Sequence, residues 1–238
     1  MGTLTSFTSF GRLPLALTLA ISLLSGCKKE KEEPAPVSVV PVMTDIDGNV
    51  YPTITVGGMV WTSENLRTIR YKDGSPITTG LTNAAWGGTT TTNIGAYAVY
   101  NDVATNNPVY GKLYNWAAVN TGRLAPTGWH VPSRDEWSTL ANALGGFSVA
   151  GGKLKSTSTL WTAPNTGADN SSGFGGLPGG YRGTSGNYAA QGNTGYWWAS
   201  SERNTTQGDY ISLDNSFASF ASNGATKSFG YSVRCVRD

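Results

Sequence analysis

Histidine and cysteine are almost missing from this chain, with one His and two Cys in 238 residues. That scarcity excludes most zinc sites, His-based catalytic triads and disulfide scaffolds. Charge is also scarce, at 13% of residues, against about a quarter in an average soluble protein. The formal charge of +2 is too small for the basic patch of a nucleic-acid binder, so no nucleic-acid partner is expected. No apolar run reaches the ~20 residues that a membrane-spanning helix needs. Glycine, by contrast, is abundant at 31 residues, roughly double the usual share. Aromatics reach 11%, with eight Trp, and a disordered chain would not carry so many large apolar anchors. The length allows one or two domains.

Residues 1–26 read as an address. Arg12 is the only charge before Lys28, and Leu13 to Leu24 is almost wholly apolar, which fits the h-region of a secretory signal. Leu24-Ser25-Gly26-Cys27 follows directly and resembles the bacterial lipobox, in which the Cys is lipidated and becomes the new N-terminus. Cys27 is therefore the expected lipidation site. The membrane is then a partner through the lipid anchor, since each buried CH₂ contributes roughly 0.8 kcal/mol. Residues 27–43 read as the lipidated Cys and a disordered tether. Mixed Lys and Glu from Lys28 to Glu33 and then Pro34, Pro36 and Pro41 show no periodicity. Residues 28–43 could reach about 50 Å fully extended. Acidic residues soon after the Cys resemble the export signal of Bacteroidetes surface lipoproteins. The expected location is the outer membrane, with its outer face a candidate.

Residues 44–238 read as one domain. Asn49 to Val56 has strand composition, Gly57-Gly58 is a two-residue turn, and Met59 restarts a strand. Pro52 predicts an edge or bulged strand. Residues 72–95 read as long loop, and Tyr110 to Val119 as a short helix with Leu113, Trp116 and Ala117 on one face. Ser133 and Glu136 form a capping box. Trp137, Leu140, Ala141 and Leu144 then share a helix face, and Gly145-Gly146 ends it. Beyond 147 the chain reads as loops broken by strands near 195–201, 209–213, 216–221 and 231–236. The expected class is α+β: loop-rich, with two short helices and small antiparallel sheets.

Eight segments carry a family resemblance in order. They are Asp45-Ile-Asp-Gly-Asn-Val-Tyr51, Trp61-Thr-Ser-Glu-Asn-Leu66, Tyr110-Gly-Lys-Leu-Tyr-Asn-Trp116, Gly128-Trp-His-Val-Pro-Ser133 and Asp135-Glu-Trp137. Gly173 to Arg182, Tyr196-Trp-Trp-Ala-Ser-Ser201 and Ser232-Val-Arg-Cys-Val-Arg-Asp238 complete them. Together they resemble the Fibrobacter succinogenes major paralogous domain, over 44–238. That family is more distantly similar to the C-type-lectin-like fold of formylglycine-generating enzymes, whose helix start Pro132 to Trp137 resembles. The resemblance implies a C-type-lectin-like domain with paired N- and C-terminal strands. It brings no established activity. The family often has Cys before Pro-x-Gly-Trp-His, where this chain has Ala125. No disulfide is carried over, and Cys235 reads as a buried small hydrophobe.

His130 has no second His or Cys cluster to complete a metal site or triad, and reads as structural, bonding a backbone group near the helix start. Asp45 to Asn49 lacks the Glu of a calcium loop, since position 54 is Ile, and reads as an Asp-Gly turn. No cofactor is expected, with Ca²⁺ left open among the Asn- and Asp-rich loops of 165–215. Gly173 to Gly183 lacks the Lys-Ser/Thr of a P-loop, and Leu177 to Gly180 reads as a rigid turn. Glu136 is occupied by capping, so Asp135 and Glu136 offer no acid pair.

Tyr188, Tyr196 and Trp198 are the candidate ligand contacts, because aromatic faces stack on sugar rings. Trp197 and Trp198 are adjacent on a strand, so at most one faces outward. Glu202 and Arg203 follow at the strand end, where a loop presents them. The expected function is a lipid-anchored, non-catalytic binding or adhesion module for a glycan or cell-surface protein. The alternative is a structural accessory lipoprotein of an outer-membrane complex. Formylglycine chemistry needs paired active-site cysteines, which Cys235 alone does not supply.

Overall fold

Alternation builds the first sheet. The computed structural model describes residues 42–238; the signal segment 1–26, Cys27 and the tether as far as Pro41 lie outside the described residues. β1 (Val42–Thr44) pairs antiparallel with β2 (Val50–Val56), which turns into β3 (Met59–Thr62). Gly57 and Gly58 make that turn at φ +61° and +78°, a region costly for any residue with a Cβ. The expected hairpin is present. Pro52 does not mark an edge, because β1 and β3 flank β2 on both sides. Its carbonyl accepts from Ser63 N at 2.9 Å, just past the end of β3, so its missing N–H falls where the ladder has run out.

The segment 72–95 holds two short helices rather than continuous loop, α1 (Asn83–Gly87) and α2 (Thr89–Thr92). Thr82 caps α1, and Trp86 on it is fully buried. One buried Trp in a polar run leaves no periodicity to read. Next come β4 (Tyr97–Ala98), α3 (Asn107–Tyr110), β5 (Leu113–Asn115) and α4 (Trp116–Val119). The helix expected over 110–119 is thus mostly absent. Gly111 at φ +75° breaks it, the chain runs extended through Asn115, and Asn115 caps a single helical turn. Leu113, Trp116 and Ala117 are still all buried.

β6 (Trp129–His130) leads to α5 (Arg134–Ala143), whose capping box forms as expected. Gly145 at φ +99° follows it. α6 (Phe147–Leu154) is a helix the sequence hides. Gly151 and Gly152 lower its propensity, but a Cβ on either would collide with the carbonyl of Ser219 or of Gly167. Tertiary packing demands the glycines. The remaining strands are β7 (Gly179–Arg182), β8 (Tyr188–Gln191), β9 (Thr194–Asn204), β10 (Gln207–Asp214), β11 (Phe220–Thr226), β12 (Gly230–Tyr231) and β13 (Val236–Arg237). The turn expected at 177–180 already enters β7, and close packing explains Gly180, whose Cβ would strike the Ala189 carbonyl. The strand expected at 231–236 is split between two sheets, β12 in one and β13 in the other.

The class is mixed α+β with two sheets. One sheet runs β1-β2-β3-β13-β6, and Val236 of β13 pairs with both Trp61 and His130, closing N- and C-terminal strands together. The larger runs β11-β10-β9-β7-β12-β5-β4, with β8 on β7. Each face of β9 carries a core. Trp197 points toward Trp61, Trp137, Phe174, Ile211 and Phe220. Trp198 points toward Tyr114, Trp116 and Tyr231.

Between these elements lies much backbone without a ladder, and buried cations satisfy it. Lys155 Nζ donates at 2.8 Å to the carbonyls of Thr166, Asp214 and Phe217. Arg234 donates to Thr62, Phe174 and Gly175 carbonyls and to Asn65 Oδ1, with its guanidinium 4.1 Å from the Phe174 ring centroid. Burial pulls the Arg234 pKa down to about 9. Arg182 donates to Gly186 and Leu81 carbonyls and stacks over Trp86. Arg234→Met should strand those acceptors and cost at least about 3 kcal/mol of unfolding free energy, read by urea denaturation. Arg234→Lys should lose less, because an ammonium keeps part of the donor set.

Candidate functional site

The residues expected to contact ligand do not form one site. Trp198 is fully buried and its Nε1 donates to the Tyr114 carbonyl at 2.8 Å. It is therefore corrected from ligand contact to core. Trp197 and Trp198 do point to opposite faces, but both faces are covered, so neither faces outward. Tyr188 pairs with Arg182 across β7 and β8, packs 5.3 Å from Tyr100 and donates to Asp102 Oδ1 at 2.8 Å. It belongs to a separate cluster with Trp86. Glu202 bonds Lys227, and Arg203 Nε donates to the buried Asp209 at 2.7 Å. Both are exposed at the far end of β9.

Tyr196 is in a more suggestive place. Tyr181 on β7, Tyr196 on β9 and Tyr210 on β10 stand on three neighbouring strands, all partly exposed. Tyr196 lies 5.4 Å from Tyr181 and 5.9 Å from Tyr210, centroid to centroid. Their floor is buried: Tyr231 stacks on Tyr196 at 5.1 Å and 12°, and Trp198 is 4.5 Å from Tyr231. Phe229 extends the row, 5.5 Å from Tyr181. Among the described residues, nothing hydrogen-bonds the hydroxyls of Tyr181 and Tyr210. Burial raises the pKa of Tyr196 and Tyr210, so these phenols remain neutral at ordinary pH. The result is a row of partly exposed rings, Tyr181 at 90° to Tyr196 and Tyr210 tilted 48° from it, which offers apolar ring area together with phenol hydroxyls. Tyr181, Tyr210 and Phe229 were missed. They become one surface only through the β7-β9-β10 order, which no local pattern discloses.

His130 bonds carboxylates, not backbone. Its Nε2 is 2.7 Å from Glu136 Oε1 and its Nδ1 is 2.6 Å from Asp238 Oδ1. The pairing of β6 with β13 brings Asp238 there, and Glu136 adds this contact to its capping role, where Oε2 accepts from Ser133 N at 2.7 Å. Partial burial alone lowers the imidazole pKa; the bonds and charges of Asp238 and Glu136 outweigh it, so it stands above 6.5. With carboxylates at both nitrogens the ring is a clamp holding a proton, not a base awaiting one. Cys235 is a free, buried thiol whose pKa burial pushes up. The Asp-Gly turn forms as expected: Asp45 accepts from Asp47 N, Asn49 N, Asn49 Nδ2 and the Tyr51 hydroxyl. Asp47 accepts from Thr68, Ile69 and Arg70. No group of three metal-ligating side chains occurs among the described residues.

Compared with known families, residues 54–237 match the model of the Fibrobacter succinogenes major domain. No curated protein and no solved structure matches the chain.

The His130 clamp sets a pH dependence. Its folded-state pKa is raised above 6.5, so its stabilisation is complete below that value and is lost as pH rises through the folded pKa. The urea midpoint should therefore fall as pH climbs from 6.5 into the alkaline range, and His130→Gln should flatten that slope. An unchanged slope in the variant would remove the clamp from the stability account.

Proposed function

We propose that this chain, which belongs to the Fibrobacter succinogenes major domain family, is the non-catalytic binding module of a lipid-anchored envelope protein. Membership in the family assigns no activity, so the reading rests on surface chemistry. The observation that carries it is the Tyr181, Tyr196 and Tyr210 face, aromatic, partly exposed and bearing two hydroxyls that bond no other described residue. Burying such rings against a flat partner releases water from apolar area, while the hydroxyls meet its polar groups. A glycan offers both kinds of surface on one ring, and we place it ahead of a surface protein. Tyr181 and Tyr196 stand side by side on β7 and β9, and Tyr210 lies diagonally from Tyr196, since its partner in register is Trp198.

Support for the non-catalytic reading comes from the two groups most suited to covalent or base chemistry. His130 is engaged at both nitrogens, and Cys235 is buried. Support for the anchor comes from the Leu24-Ser25-Gly26-Cys27 segment and the charged, proline-bearing stretch after it, which together favour the outer membrane. No helix among the described residues is long and apolar enough to cross a membrane. We place the fold in the C-type-lectin-like class on the paired terminal strands and the capped α5.

A glycan array probed with the detergent-solubilised protein, with calcium and again with chelator, tests this reading. Binding should weaken about tenfold or more in Tyr210→Ala and in Tyr181→Ala, with circular dichroism unchanged. Loss in chelator would add Ca²⁺ to the site. Silence in every arm, with a co-extracted protein retained by the wild type and lost in both variants, would replace the glycan by an outer-membrane partner.

A further inference from the structure

A cleft of about 270 Å³ opens beside the Asp45 turn, apart from the tyrosine face. Its walls come from three stretches: Thr44 to Ile46 after β1, Thr68 to Lys72, and Leu124 to Thr127. Two carboxylates lie at or behind it, and the acceptor oxygens of both are engaged within the protein. Asp45 takes its four hydrogen bonds within the turn. Asp47 holds Thr68, Ile69 and Arg70. The donors are not spent. Arg70 gives Nε to Asp47 and Nη2 to the Ile46 carbonyl, which leaves Nη1 without a partner among the described residues. Lys72 Nζ, Thr44 Oγ1 and Thr127 Oγ1 also have none among the described residues. The remaining walls are apolar, from Ile46, Leu124 and Pro126.

This is a donor-rich pocket with a greasy side. Thr44, Arg70, Lys72 and Thr127 are exposed, so a ligand has to replace water on their donors, and an oxyanion does so with bonds about twice as strong as neutral ones. A bare inorganic anion would meet the donors and leave the Ile46, Leu124 and Pro126 walls wet. A pyranose ring carrying a carboxylate would satisfy both. The volume falls just below that of ligand clefts, which start at ~300 Å³, and so suits one ring rather than a chain.

We propose that this cleft binds the carboxylate-bearing ring of an acidic sugar, a hexuronate. Lys72 and the free edge of Arg70 take the carboxylate. Thr44 and Thr127 bond ring hydroxyls, and Leu124 with Pro126 covers the apolar face. Arg70 is preset for this, because its bond to Asp47 fixes the guanidinium before any ligand arrives.

Titration calorimetry on the full protein in detergent tests it, with glucuronate, glucose and inorganic phosphate as probes. Glucuronate should bind, weaken about tenfold or more in Lys72→Met, and weaken as salt is raised. Lys72 is exposed, so that variant keeps its fold, and Thr127→Val provides a second, uncharged test in the same direction. Glucuronate binding no tighter than glucose, or unaffected by Lys72→Met, would overturn the proposal. Phosphate binding as tightly as glucuronate would overturn it too, since charge alone would then explain the site. The same titration in a Tyr181→Ala, Tyr210→Ala background reads this cleft without the tyrosine face, so failure of the one and failure of the other are separable.

Discussion

Carbonyl groups buried outside any ladder must find a donor, and most of this fold depends on how three buried cations provide one. Lys155, Arg182 and Arg234 are each almost wholly inaccessible, and each bonds backbone carbonyls from distant segments instead of a carboxylate. Such a cation is costly to desolvate. It repays that by gathering several loops onto one multi-donor head, where an amide or hydroxyl would gather fewer. Arg234 links the end of β3 to the 174–175 loop. Lys155 links the 166 loop to the turn after β10. Arg182 links β7 to the stretch before α1. The aromatic row stands on β7, β9 and β10; Arg182 follows Tyr181 on β7, and Lys155 bonds the Asp214 carbonyl at the end of β10.

This arrangement explains which parts of the molecule were legible in sequence. The hairpin at Gly57-Gly58, the Asp45 turn and the capping box at Ser133 are local devices, complete within a few residues, and all three are present. What escaped is what depends on distant partners. Gly151 and Gly152 look like helix breakers until the Ser219 and Gly167 carbonyls are beside them. Tyr110 to Val119 shows helical spacing, yet Gly111 must turn where Asn65 crowds it, and β12 then recruits Leu113 to Asn115 into a sheet.

The candidate site shows the same division more sharply. Strand alternation correctly sent Trp197 and Trp198 to opposite sides. It could not say that both sides are roofed, because that depends on α5 and α6 on one face and on α4 with β12 on the other. Tyr196 could be chosen from its neighbours in sequence, but Tyr181 and Tyr210 join it only through strand order. His130 reads in sequence as bonding a backbone group near the helix start, because Asp238, one of its two carboxylate partners, is brought to it only by β13.

The short strand at the entry has a mechanical meaning. Any tension arriving through the residues before Val42 loads β1 first, and β1 is an edge strand joined to the sheet by three residue pairs. Asp45 comes directly after it, its carboxylate bonded to Asn49 and to Tyr51 on β2. A pulled body would thus give up a few residues of length as a fuse, with the tyrosine row undisturbed. The cleft walled by Thr44 and Ile46 would feel the strain.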